Sequence, residues 1–198
     1  LMKFLFDLGG VFFDWDPKFF FKKIISDNDE MDFFLTKVCN DEWNLAQDSG
    51  RSIEDGEKDI IRKFPQYENL IKQYYPNHRK MIKGIFQSSV NILIKLKQDN
   101  YECFVLSNWS SETFIDIPKE FKFMENFDGL LISGEDKLVK PDPKIYLLAI
   151  DRFNLDPQNT VFIDDKLVNI NAAKKLGFKT IHLTNPNIIE SEINKFIK

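Results

Sequence analysis

The run Lys3-Phe4-Leu5-Phe6 is apolar enough for a strand covered on both faces, and it stops abruptly at one acid, Asp7, followed by Leu8-Gly9-Gly10. A run of this kind belongs inside a sheet rather than at its edge, and the glycines behind it let backbone amides come close to an anion at the strand's end. Similar short runs recur at residues 103–106, 160–163 and 180–183, with a weaker one at 129–133. Between them the apolar spacing turns helical. Ile145, Leu147, Leu148 and Ile150 follow a proline-rich start, Ile92, Leu93 and Leu96 precede a polar turn, and residues 168–176 stop at Gly177, a good C-terminal glycine. This alternation predicts an α/β fold, a mostly parallel sheet with helices on both faces.

Residues 17–81 break the alternation. They carry helix-like apolar spacing and few β-branched runs, and Asp16-Pro17 and Tyr75-Pro76-Asn77 are plausible crossings out of and back into the core. The expected division is therefore a core of residues 1–16 and 82–198 with a small α-helical cap, 17–81, inserted after the first strand and its hairpin-like tail. A chain of 198 residues, 43% hydrophobic, suits one such domain with an insertion. Leu1, ahead of Met2, is left out of the fold reading.

Composition narrows the function classes. A net charge of −4, with 27 Lys and Arg dispersed along the chain, gives no long-range pull toward nucleic acid or an anionic membrane. No apolar run reaches the ~20 residues of a membrane span, and the start lacks the regions of a secretory signal. The expectation is a cytoplasmic protein, a monomer or weak homodimer, with neither nucleic acid nor membrane as partner. Cys39 and Cys103 lie in no metal-ligand spacing, and two histidines, His78 and His182, are too few for a typical zinc site. The 20 Phe read as core and cap packing.

Three of the strand-like runs end on chemistry. Asp7, Ser107 and the pair Asp164-Asp165 each terminate one, and in an open α/β sheet ligands bind at the C-terminal ends of the strands where connectivity reverses. A carboxylate there can attack phosphorus and split one displacement into two easier ones. Two more acids beside it repel it unless a cation sits between them, and Mg²⁺ takes hard oxygen ligands and bridges carboxylates to phosphate. Taken singly, Ser107-Asn108 is a turn and Asp164-Asp165 a common helix entry. In Lys140-Pro141-Asp142-Pro143, two prolines stiffen the opening of a helix and hold Lys140 in place.

Asp7-Leu8-Gly9, Ser107-Asn108-Trp109, Lys140-Pro141-Asp142-Pro143 and Asp164-Asp165, in this order over the whole chain, resemble the motifs of the haloacid dehalogenase-like (HAD) hydrolase superfamily. The resemblance implies a Rossmann-like core, with Asp7 as nucleophile and Lys140 as the fixed cation beside it. It also implies that Ser107, Asn108 and Lys140 bind the phosphoryl group. Mg²⁺ would be held by Asp7, the backbone carbonyl of Gly9 and Asp165, with Asp164 in direct contact or one step behind. The Asp-Leu-Gly opening is similar to that of bacterial sugar-phosphate phosphatases, which implies a small phosphorylated substrate. In the cap, Trp43, Gln47, Asp48 and Arg51 resemble the substrate-reaching segment of that subgroup.

One departure stands out. Most phosphatases of the superfamily carry a second aspartate two residues after the nucleophile, as proton donor to the leaving oxygen, and this chain has Gly9 there. Losing a positioned acid costs ~10²–10⁴ in rate. Asp14, Asp16, Asp48, Arg51 or water are candidates to replace it. Haloacid dehalogenation, in which halide leaves without a proton, is one alternative, though it leaves the acid pair Asp164-Asp165 without a purpose. A non-catalytic phosphate-binding protein is another.

Overall fold

The computed structural model describes residues 1–197. Strands β1 (Lys3–Phe6), β4 (Glu102–Ser107), β5 (Gly129–Ile132), β6 (Thr160–Asp164) and β7 (Lys179–His182) form a five-stranded parallel sheet in the order β5-β4-β1-β6-β7. β2 (Phe13–Trp15) and β3 (Ile82–Ile85) form a separate antiparallel pair.

The sheet is buried on both faces, and period-two alternation decides which side chain goes where. Phe4 and Phe6 of β1, Val105 of β4, and Val161 and Ile163 of β6 enter one hydrophobic cluster. Leu5, Phe104, Leu106 and Phe162 enter another on the opposite face. The register Phe4↔Cys103 and Phe4↔Val161 carries this alternation across the central strands. The phenylalanines named in the first cluster pack with aromatic neighbours, for example Phe6 edge-on to Phe12 and Phe12 stacked on Phe123.

β1 lies between β4 and β6, so connectivity reverses beside it and the C-terminal ends of all three strands open on one crevice. Between β2 and β3 the chain is helical: Lys18–Phe21, Asn28–Phe33, a π-turn Phe34–Val38, Asp41–Asp48, Ile53–Lys63 and Glu68–Ile71. Asn40 caps Asp41–Asp48 by accepting the Trp43 N–H at 2.8 Å, and Ser52 caps Ile53–Lys63. These helices bury a cluster of their own around Phe21, Phe34, Trp43 and Tyr74.

The strand expected at 180–183 runs one residue earlier, because Lys179 already pairs with Val161, and the Leu183 amide still bonds the Asp164 carbonyl at 2.9 Å just past its end. β3 carries no strand signal of its own, since Lys83 and Gly84 interrupt its apolar pattern. Pairing with β2 makes it a strand.

Candidate active site

Asp7 follows β1, and its amide still bonds the Ile163 carbonyl at 2.9 Å, which fixes it at the mouth of the crevice. Its Oδ1 accepts hydrogen bonds from the Leu8 N–H at 2.7 Å and the Ser107 hydroxyl at 2.9 Å, and it is ion-paired with Lys140 Nζ at 3.0 Å. Oδ2 takes none of these. Ser107 reaches across because it ends β4, the strand beside β1.

Lys140 is almost wholly buried, 2% exposed, and its ammonium donates to Asp164 Oδ2 at 2.7 Å and the Leu106 carbonyl at 2.8 Å while pairing with the Asp7 carboxylate at 3.0 Å. Its placement is built locally. Asp142 caps helix Pro143–Phe153 by accepting the Lys144 N–H at 2.9 Å, and Pro143 fills the first turn. Asn108 clamps the Lys140 backbone from both sides, donating to its carbonyl and accepting its N–H, each at 2.9 Å. With its side chain so occupied, Asn108 has its backbone N–H to offer an anion.

Asp164 and Asp165 end β6 in different surroundings. Asp164 is fully buried and accepts from Lys140, the Lys166 N–H at 2.8 Å and Asn169 Nδ2 at 3.1 Å to both oxygens. Asp165 has a buried Oδ1 with no hydrogen-bond partner. Gly10, at φ 72°, lies so close that a side chain there would land on the Asp165 carboxylate. One oxygen from each of Asp7, Asp164 and Asp165 falls within 4.8 Å of the others.

The charges are strained by burial. Burial, with Asp164 and Asp165 adding to it, pushes Asp7 up to about 7 against the pull of Lys140. Burial and Asp164 likewise raise Asp165. Burial alone would depress Lys140, but Asp164 and Asp7 outweigh it and hold the ammonium above its ordinary range. Buried acids around one fixed cation, with an unpartnered oxygen left over, make a donor set suited to a hard divalent ion.

A cavity of about 310 Å³ opens over these groups, and helix Asp41–Asp48 supplies its far wall through Asp41, Asn44, Leu45 and Asp48. Of the four cap residues singled out in the sequence, only Asp48 lines it. Trp43 packs on Tyr74 and Tyr75 and donates Nε1 to the Gly56 carbonyl at 2.9 Å. Gln47 donates to Tyr75, and Arg51 bonds Gln47 and Asp59. Trp43 and Gln47 occupy the face of the helix turned into the cap's own cluster, Arg51 lies beyond the helix's end, and 41, 44, 45 and 48 share the other face. Helical spacing separates the two sets. Trp109, which closes the motif Ser107-Asn108-Trp109, lines the cavity too, as do Trp15 and His78, which carry no motif to give them away; the buried Trp15 Nε1 has no partner.

The remaining candidates sit elsewhere. Asp16 accepts the Lys18 N–H at 2.8 Å, and neither it nor Asp14 lines the cavity. Cys39 and Cys103 are buried free thiols, and His182 holds the Asp165 carbonyl at 2.9 Å. Among the described residues no helix is long and apolar enough to cross a membrane.

The profile of the haloacid dehalogenase-like hydrolases matches residues 35–183, a span that includes Ser107, Lys140, Asp164 and Asp165 and begins after Asp7. Over 123 residues the chain is 31% identical to (S)-2-haloacid dehalogenase 4A of Burkholderia cepacia, covering 57% of this chain and 53% of that one. Over 118 residues it is 38% identical to the phosphorylated carbohydrates phosphatase of Thermotoga maritima, covering 58% and 55%. The matches thus span about half the length of these two relatives. The crystal structure of a HAD family enzyme of Bacteroides thetaiotaomicron, in complex with magnesium and inorganic phosphate, superposes with a TM-score of 0.69 at 28% identity, over 91% of this chain and 93% of the other.

Proposed function

The chain belongs to the haloacid dehalogenase-like hydrolase family, and from that premise we propose that it hydrolyses a small phosphomonoester, with sugar phosphates the leading class, through an aspartyl phosphate on Asp7 in the presence of Mg²⁺. The observation that carries this reading is the unpartnered, buried Oδ1 of Asp165 beside Asp7 and Asp164. A buried carboxylate oxygen without a donor is costly, and a cation relieves it.

Asp165, Asp7 and the Gly9 carbonyl would hold the ion, with Asp164 behind them because Lys140 and Asn169 already occupy its oxygens. Bound there, the ion supplies positive charge against the phosphate and between the acids. Asp7 attacks phosphorus through Oδ2, since Oδ1 is fixed by Leu8, Ser107 and Lys140. Lys140 offsets the negative charge that gathers around the nucleophile, and Ser107 with the Asn108 amide orients the phosphoryl oxygens. Residues 17–81 act as a cap over the cavity, excluding bulk water and admitting small substrates only.

The Burkholderia cepacia relative keeps dehalogenation as a second reading, one that needs no cation and no proton donor at Gly9. The two are separated by assaying phosphate release from sugar phosphates and p-nitrophenyl phosphate alongside halide release from 2-haloacids. Phosphate release without halide release supports the proposal, and the reverse overturns it.

A further inference from the structure

The phosphatase reading requires a proton donor for the leaving oxygen, and the place where one is usual is empty: nothing lies within 4 Å of a Cβ built on Gly9. The donor has to come from another wall of the cavity. The protonatable side chains that line it are Asp7, Asp41, Asp48, His78, Lys140, Asp165 and Lys166.

Position and bonding separate them. Asp7 is the nucleophile and Asp165 faces the cation. Lys140 is held as a cation by Asp7 and Asp164, which keep its proton from leaving, and it also donates to the Leu106 carbonyl. His78 lies among the rings of Trp15, Tyr75 and Trp109, and burial takes it down to about 4, so it is neutral and has no acidic proton to give. Asp41 is exposed at the start of its helix. Lys166 follows the acid pair and serves as a counter-charge toward Asp48.

Asp48 remains, and it is built into the site from both domains' sides. Its residue is 9% exposed, and its carbonyl accepts the Ser133 hydroxyl at 2.6 Å. Ser133 in turn accepts the Trp109 N–H at 2.9 Å, which ties the end of helix Asp41–Asp48 to the loop after β4. On its own helix the Asp48 carboxylate meets Asn44 Nδ2 at 3.3 Å, and from the core the Ser110 amide favours it. Ser110 is three residues beyond Ser107, so the carboxyl stands beside the proposed phosphate loop with the helical wall behind it.

We infer that Asp48 is the general acid and base of the reaction, contributed by the helical insertion in place of the missing side chain at Gly9. In the first step the Asp7 Oδ–P bond forms as the ester P–O bond breaks, and the Asp48 carboxyl gives its proton to the departing alkoxide oxygen. In the second, water attacks phosphorus, its proton passes to the Asp48 carboxylate, and the Asp7 Oδ–P bond breaks. Inorganic phosphate, the Asp7 carboxylate and the Asp48 acid are regenerated. Burial raises Asp48 to about 7, with Lys166 and Ser110 pulling the other way, which suits a group that must both give and take a proton near neutrality.

This inference rests on the phosphatase reading, and leaving-group dependence tests it separately. With Mg²⁺ present, kcat/KM is measured for acetyl phosphate, whose leaving group needs no proton, and for an alkyl ester such as glucose 6-phosphate. Asp48→Asn is expected to lower the alkyl value by ~10²–10⁴-fold and the acetyl value by no more than a few-fold. Adding Gly9→Asp is expected to restore part of the alkyl activity. Equal loss for both substrates, or no loss, overturns the assignment of Asp48 while leaving the phosphatase reading intact. No phosphate release by the unmutated chain overturns both. Should Asp48→Asn fail to fold, the unmutated chain carries the test across a series of aryl and alkyl phosphates. A shallow dependence of kcat/KM on leaving-group pKa supports an internal acid, and a steep one overturns it.

Discussion

Asp164 and Asp165 are adjacent in sequence and opposite in environment: Asp164 has both oxygens bonded, by Lys140, Asn169 and the Lys166 amide, while Asp165 keeps a buried Oδ1 with no partner at all. The first is finished within the chain, and the second is finished only by something added. Asp165→Asn is therefore expected to abolish saturable Mg²⁺ binding, read by quenching of Trp109 and Trp15 at the cavity wall, without loss of stability in metal-free solution. Asp164→Asn is expected to lower the unfolding midpoint even in EDTA, because it discards the charge that Lys140 is buried against. Equal behaviour of the two variants would contradict this division.

Lys140 is the counter-ion of a buried acid group, and its own carbonyl and amide are pinned by Asn108. Removing one partner of a buried pair typically costs about 3–5 kcal/mol. Lys140→Met should destabilise the fold by that order, and the loss should grow as pH rises from about 5 to about 8, because the carboxylates left behind are charged at the upper end. Urea unfolding at the two pH values checks both statements.

The paired glycines are not equivalent. Gly9 has open space around it, so Gly9→Ala should leave stability within ~0.5 kcal/mol. Gly10 holds φ at 72° and an added methyl would strike the Asp165 carboxylate. Gly10→Ala should cost about 1–3 kcal/mol and weaken Mg²⁺ binding as well. Thermal unfolding with and without Mg²⁺ tells the two apart.

Asp48 carries a pH signature. Burial lifts its pKa from 3.8 to about 7, so the folded chain holds this proton more tightly than the unfolded one. Its contribution is present in acid and drains away as pH rises through that interval, whereas an uncharged amide has no such dependence. Asp48→Asn should therefore gain stability relative to the parent by a few kcal/mol on going from about pH 5 to about pH 8, even as it loses turnover of alkyl esters. The titratable neighbours around the cavity are Asp7, Asp41, His78, Lys140, Asp165 and Lys166. A flat stability difference across this range would remove the buried ionisation from the account.

The sheet was readable because its strands are covered on both faces and so appear as unbroken apolar runs, as Lys3–Phe6 does. The motif residues could be gathered in advance because strand ends in a parallel sheet converge, which brings Asp7, Ser107 and Asp164 together across a hundred positions and more. The helical wall was not readable in the same way. Trp43 and Gln47 look chemically eligible, yet which face of helix Asp41–Asp48 meets the cavity is decided by how Trp43 packs on Tyr74 and how Asp48 is tied to Ser133, contacts between distant segments. The different fates of Asp164 and Asp165 were equally hidden, since they depend on Asn169 one helical turn further on.

The central claim is that Asp7 and a divalent cation together cleave a phosphomonoester. It is tested most directly by phosphate release from acetyl phosphate, p-nitrophenyl phosphate and sugar phosphates, in Mg²⁺ and in EDTA, with Asp7→Asn as the blank. The account predicts turnover in Mg²⁺ that disappears in EDTA and falls by ~10⁴-fold or more in a folded Asp7→Asn variant. Phosphate release that survives either treatment, or none from any of these esters in Mg²⁺, would contradict it.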